Sequence, residues 1–91
     1  MTSKRFNGHE KAAAQINYYN DGSFSLVSYA TIVATVDNEG WLHINGLYSH
    51  TTIKHISWFM KMIGLSYQTA KQLVCDNIDM NIHTGEVKEW E

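Results

Sequence analysis

Residues 31–45, with the sequence TIVATVDNEGWLHIN, contain two alternations of apolar side chains on either side of a polar turn. The segment Asp37-Asn38-Glu39-Gly40 has the composition of a type I turn followed by glycine in the left-handed conformation, which is a three-residue hairpin loop. That loop pairs Val36 with Leu42. Both alternations then place their apolar residues on one face, and only this register does so. The stretch therefore predicts an antiparallel hairpin with one buried face.

A second turn of the same chemistry, Tyr19-Asn20-Asp21-Gly22, precedes this hairpin and pairs Tyr18 with Phe24. Between the two turns the even-numbered positions fall on one face, and no strong turn residue interrupts them. We therefore predict one long, bent central strand from about Ser23 to Val36, flanked by a shorter strand on each side. The outer face of this sheet carries Val27, Tyr29, Val33, Trp41 and His43.

A helical period replaces the strand period in the second half of the chain. The first predicted helix spans Thr51–Ile63, with Ser49 or Thr51 as its N-cap and Gly64 as its C-terminal stop. Ser66 then caps a second helix. The apolar stripes of the two helices are Ile53, Ile56, Met60 and Ile63, with Phe59 alongside, in the first, and Tyr67, Ala70, Leu73 and Val74 in the second.

These elements predict a single α+β domain over residues 1–91, built as an antiparallel β-meander with a long central strand and packed by two C-terminal helices. The polar segment Met1–Glu10 is expected to be loosely ordered. A weak alternation after Asn77 and a turn at His83-Thr84-Gly85 predict a last short hairpin that returns through Val87. The predicted core consists of Phe24, Leu26, Ile32, Ala34, Leu42, Ile44, Ile53, Ile56 and Met60.

Composition limits the classes of function. The net charge is −2, whereas proteins that bind duplex nucleic acid carry a basic surplus, so nucleic acid is not expected as a direct ligand. No apolar run approaches the roughly 20 residues that span a bilayer, so no membrane partner is expected. The start of the chain does not read as a secretory signal. The single cysteine, Cys75, forms no internal disulfide, and we predict a cytoplasmic protein.

No catalytic or metal-binding motif is present. The five histidines are scattered. His50 and His55 are separated by about 140° around a helix, so they cannot chelate one ion unless His50 lies outside the helix. Cys75 fits an amphipathic pattern better than a nucleophile motif, and we expect it to be at least half-buried. The sequence predicts no metal, no cofactor, no catalytic residue and no enzymatic activity.

The first predicted helix carries a second apolar stripe, formed by His55, Trp58 and Met62 and separated from the core stripe by Lys54 and Lys61. Tryptophan and methionine are enriched at protein contacts. We therefore predict a partner-binding surface, extended by two aromatic residues of the outer sheet face, Trp41 and Tyr29. The alternative is that the second helix or the C-terminal segment covers this stripe as ordinary core.

The motif Ser28-Tyr29-x-Thr31-x-Val33-Ala34, together with Gly46-x-Tyr48-Ser49-x-Thr51-Thr52-x-Lys54-His55-Ile56, resembles a group of small proteins from phages and mobile elements of Gram-positive bacteria. The resemblance covers residues 28–60 and implies no catalytic residue. It implies a protein that acts stoichiometrically on a host protein, as anti-CRISPR proteins and other defence inhibitors do, with a defence nuclease complex as a candidate partner. The alternatives are a nucleic-acid-binding module that uses the outer sheet face and a small homo-oligomeric ligand-binding protein.

Overall fold

The computed structural model describes residues 1–46 and 49–90, and within these ranges the chain forms seven strands and two helices. Tyr48 of the quoted motif lies outside the described residues. The strand order in the sheet follows the chain from β1 to β7, and every neighbouring pair is antiparallel. The elements are β1 Thr2–Arg5, β2 Ala14–Tyr18, β3 Phe24–Ser28, β4 Thr31–Val36, β5 Trp41–Ile44, α1 His50–Met62, α2 Tyr67–Asp76, β6 Ile78–Asn81 and β7 Val87–Glu89.

The predicted α+β class is confirmed, as are both hairpin turns. Tyr18 pairs with Phe24 across the first turn, and Val36 pairs with Leu42 across the second. The glycine that ends each turn has a positive φ, as the left-handed position requires. Gly40 is also closely packed, because a Cβ added there would collide with the His83 ring.

The predicted long central strand from Ser23 to Val36 is wrong. The chain reverses at Tyr29-Ala30, so that β3 and β4 are two antiparallel strands. Tyr29 occupies the loop with φ 59°, a conformation that non-glycine residues rarely adopt. After a two-residue loop, the odd-numbered residues lie on the sheet face that held the even-numbered residues of the preceding strand. The bulge at Val33 adds one residue to β4, so the even-numbered residues beyond it return to the same face as those of β3. Consequently Val33 is buried at 1% exposure and Ile32, a predicted core residue, is 44% exposed.

The core lies between the sheet and α1. Of the predicted core residues, Phe24 and Ile53 are only half-buried. Phe59, which the helical pattern placed alongside the core stripe of the first helix, is fully buried. The predicted core residues that the structure buries are Leu26, Ala34, Leu42, Ile44, Ile56 and Met60. Burial of each large apolar side chain stabilises the fold by about 1.5–3 kcal/mol relative to exposure.

The helix ends follow the predicted caps. Ser49 is the N-cap of α1, and its side chain accepts a hydrogen bond from the Thr52 N–H. At the other end the Gly64 N–H donates to the Lys61 carbonyl and the Leu65 N–H donates to the Met60 carbonyl, which is a Schellman motif. The second helix begins after its N-cap, Ser66, as predicted.

The two ends of the chain form edge strands. Where the sequence indicated a loosely ordered N-terminal segment, the structure places β1, followed by a buried Phe6. At the C-terminus β6 and β7 form the expected short hairpin. Cys75, expected to be at least half-buried, is exposed on α2.

The helices cover only part of one sheet face, because α1 packs on β3 while α2 packs on β5 and β6. On the helix side of β2, beyond these two helix contacts, Ala14 and Ile16 are buried and Tyr18 is half-buried. Neither of the two described helices has the length and apolar character needed to cross a membrane.

Candidate binding groove

An open groove, with a cavity volume of about 520 Å³, lies between the helix-side surface of β1–β2 and the flank of α1. Ile16 and Tyr18 of β2 contribute its floor, and Trp58 and Met62 of α1 contribute its wall. Phe6, which follows β1, also lines the groove and is buried there. The lining is therefore mainly apolar and aromatic, as in sites that bind other molecules.

Trp58 is held in place by its neighbours. The His9 ring stacks on it with centroids 3.9 Å apart and an interplanar angle of 15°. The Phe6 ring lies 5.7 Å away in a tilted arrangement. The Lys54 ammonium lies 5.6 Å from the centroid of the indole ring. Trp58 is consequently half-buried and preorganised, which reduces the entropy that a binding surface loses on contact.

Positive charge is concentrated around the groove. In the described ranges none of the cations that line it, or that line a second recess beside it, forms a salt bridge. Glu10 is the one acidic residue among the described residues that line these two cavities. The overall net charge is −2, so the amino-acid composition does not reveal this local excess of positive charge. Five of the seven Lys and Arg residues contribute to it: Lys4, Arg5, Lys11, Lys54 and Lys61.

His55 lies behind the groove in a buried polar network. Its Nδ1 is 2.8 Å from Ser28 Oγ, which is itself 3.0 Å from Thr52 Oγ1. The imidazole is 1% exposed. Burial, with a smaller contribution from the nearby Lys54 ammonium, lowers the pKa of His55 below its ordinary value of 6.5. The ring is therefore neutral at pH 7, and the network joins the end of β3 to the first turn of α1.

A serine hydroxyl beside an imidazole is also the arrangement of a nucleophile and its general base. In this chain Ser28 and His55 are both buried, so a substrate has no access to the pair. Among the described residues no group of three or more His, Cys, Asp or Glu side chains is arranged to hold a metal ion.

The five residues predicted to bind a partner do not form one surface. Trp58 and the 44% exposed Met62 line the groove. His55 is buried against Trp58, with ring centroids 5.2 Å apart, so it supports the surface from beneath. Tyr29 is exposed, with its ring centroid 6.0 Å from that of His55. Trp41 belongs to the opposite sheet face, since its neighbour Leu42 points to the helices and is fully buried.

Trp41 is instead part of an outer-face cluster around Asp79. Asp79 Oδ1 accepts a 2.7 Å hydrogen bond from His43 Nδ1 and another of 2.7 Å from Trp90 Nε1. Lys88 Nζ lies 4.3 Å from the centroid of the Trp41 ring. With one lysine beside one carboxylate, this cluster lacks the surplus of cations that a phosphate-binding surface uses.

Sequence reasoning missed the contributions of β1 and the loop that follows it. All four residues of β1 are exposed, so no apolar alternation marks the strand, and His9 has no motif around it. The signal that could have found the groove is the distribution of charge. Lysine and arginine are concentrated in two short segments, residues 4–11 and residues 54–61.

The chain belongs to a family of unknown function, DUF8033, whose family model matches residues 2–78. No curated protein and no solved structure gives a significant match. All the described residues that line the groove lie inside the matched range, whereas Lys88 and Trp90 of the outer-face cluster lie beyond it.

Proposed function

We propose that this chain is a small binding protein that acts stoichiometrically on a host protein in the cytoplasm and performs no catalysis. Its contact surface is the groove, with Trp58 and Met62 as the central contacts. The resemblance to small phage proteins supports an anti-CRISPR or other anti-defence role, with a defence nuclease complex as the partner.

The observation that carries this proposal is the preorganised Trp58 in the wall of an open, mainly apolar groove. Hot spots of protein interfaces are enriched in tryptophan and arginine and lie in packed pockets surrounded by other contacts. Arg5 lines this same groove. The cations at its margin add electrostatic selection of the partner.

Nucleic-acid binding through the outer sheet face is less well supported, because five of the seven Lys and Arg residues lie around the groove and the recess beside it, whereas on the outer face Lys88 lies beside Trp41 with the Asp79 carboxylate nearby. Self-association through the groove is the remaining alternative. The mass of the free protein in solution distinguishes self-association from binding of a separate host protein.

The test begins with affinity capture from host extract, followed by titration of the captured protein, once purified, in a calorimeter. We expect a saturable complex of fixed stoichiometry that resists nuclease treatment. Met62→Asp should weaken binding about tenfold or more, because it places a charge in the apolar wall. Ile32→Asp is the matched control, since Ile32 has the same 44% exposure but lies on the opposite face.

Equal effects of the two substitutions on affinity would refute the groove as the contact surface. Release of the captured material by nuclease would refute a protein partner. A dimer of the free protein that Met62→Asp dissociates would assign the groove to self-association.

A further inference from the structure

We infer that the groove and the free edge of β1 together bind an extended acidic segment of the partner polypeptide, which adds to the sheet as a further strand. This inference rests on the proposed function and specifies the chemistry of the partner. Three features of the described residues support it: the edge position of β1, the placement of cations and the closed face of Trp58.

The first feature is the exposed edge. In the sheet β1 pairs with β2 on one side only, so a row of its backbone N–H and C=O groups points away from the sheet. Such a row pairs readily with an extended peptide, whose main chain supplies affinity while alternate side chains supply specificity. The edge is adjacent to the groove, because Lys4, Arg5 and Phe6 line it.

The second feature is the position of the charges relative to that edge. Lys4 pairs with the buried Ile16, so its side chain lies on the groove side of the sheet. Its ammonium lies 5.8 Å from the centroid of the Tyr18 ring. Lys61 approaches the groove from α1. Every second side chain of an added strand would point into the groove. There the carboxylates of an acidic peptide would contact Lys4 and Lys61, and its apolar side chains would contact Met62.

The third feature argues against a nucleic acid. Single-stranded nucleic acid binds on aromatic faces that are free for base stacking. One face of Trp58 is covered by the His9 ring at 3.9 Å, and the Lys54 ammonium lies 5.6 Å from the centroid of the indole ring. A strand edge also offers hydrogen bonds that match a peptide main chain better than a sugar-phosphate backbone.

A second copy of the chain also contains an acidic edge, since Glu86 precedes β7 and Glu89 ends it. Pairing of that edge with β1 would join copies head to tail, and such contacts build rings or open filaments. We assign the groove to a separate partner, because β7 has Lys88 at its centre and offers only three residues for pairing.

The test uses the full chain and a displayed library of random 12-residue peptides. We expect enriched peptides to alternate Asp or Glu with apolar residues, and one of them is then synthesised with a fluorescein label. Lys4→Glu and Lys61→Glu should each weaken its binding about tenfold, because each places like charges in contact. The matched control is Lys71→Glu, which changes the net charge equally on the exposed surface of α2 and should leave affinity within about twofold.

Hydrogen exchange provides the readout specific to strand addition. In the complex the β1 amides that point away from β2 should exchange at least about tenfold more slowly, while those of the opposite edge strand, β7, should not change. Enrichment without acidic residues, equal effects of Lys61→Glu and Lys71→Glu, or unprotected β1 amides would each overturn the inference.

Two further outcomes would show that the groove binds something other than an acidic peptide. Displacement of the labelled peptide by an oligonucleotide of twelve thymidylates, with steep salt dependence, would indicate nucleic acid. A concentration-dependent polymer of the free chain that competes with the peptide would indicate a second copy. If a purified host protein forms a fixed-stoichiometry complex that Lys4→Glu and Lys61→Glu leave unchanged, the proposed function stands and this inference fails.

Discussion

The buried imidazole of His55 predicts a specific dependence of stability on pH. The side chain is neutral in the folded protein because burial lowers its pKa below 6.5. In the unfolded chain it is protonated whenever the pH is below about 6.5. The unfolded state therefore binds more protons in this range, and the stability present above pH 6.5 is lost as the pH falls toward the lowered folded-state pKa.

The size of this change in stability follows from the one proton that His55 binds in the unfolded chain. Between pH 7.5 and pH 5.5 the free energy of unfolding should fall by up to about 1.4 kcal/mol from this residue, which is the limit set by one proton taken up by the unfolded chain and not by the folded protein. For a domain of this size that limit corresponds to a decrease in Tm of at most roughly 8 °C. Urea titrations at the two pH values measure the change in free energy directly.

The comparison that isolates His55 uses His55→Asn, whose amide lies near the position of Nδ1 and does not titrate. The cost of this substitution in stability cancels in the difference between the two pH values, and the pH dependence of the free energy of unfolding should shrink by up to about 1.4 kcal/mol. His50→Asn is the control, because His50 is exposed at the start of the same helix. Equal pH dependence in all three proteins, or an NMR titration of His55 with a midpoint near 6.5, would refute the reasoning.

Three further substitutions test the fold. Tyr29→Gly should be more stable than Tyr29→Ala by about 1 kcal/mol, because only glycine adopts φ 59° without strain; equal thermal melts would refute this. Gly40→Ala should cost about 1 kcal/mol more than Gly22→Ala in urea titrations, since both turns have positive φ but only at Gly40 must the His83 ring move to make room for the added methyl group. Phe6→Ala should cost about 3–5 kcal/mol if the N-terminal segment belongs to the core, and a loss below about 1 kcal/mol would show that it does not.

The hairpins could be predicted because their turns carry residues with a conformational signal. Gly22 and Gly40 both have positive φ, and the registers that they set are the ones observed. The turn at Tyr29-Ala30 has no such residue. The bulge at Val33 returns the even-numbered residues of β4 to the sheet face that holds the even-numbered residues of β3. Two antiparallel strands therefore have the same alternation in sequence as one continuous strand. Periodicity alone cannot separate these two cases.

The candidate site was predictable only where it lies on a helix. A period of 3.6 residues separates Trp58 and Met62 from the core stripe, and both line the groove. The same stripe includes His55, which the structure buries. A helical projection gives the direction in which a side chain points, but it does not show which other parts of the chain pack over that side chain. Lys4 and His9 belong to the N-terminal segment that carries no pattern, and only the fold brings them to Trp58.

The order of elements along the chain has a consequence for synthesis on the ribosome. The strands β1 to β5 pair only with their neighbours in sequence, so each hairpin can close soon after it emerges, at low entropic cost. The helices that cover this meander come later. The roughly thirty residues from the end of β5 to the end of α2 take about 2–6 s to translate. During that interval Leu26 and Leu42 lie on an uncovered apolar face, and the nascent chain is most exposed to aggregation and to chaperones before α1 docks.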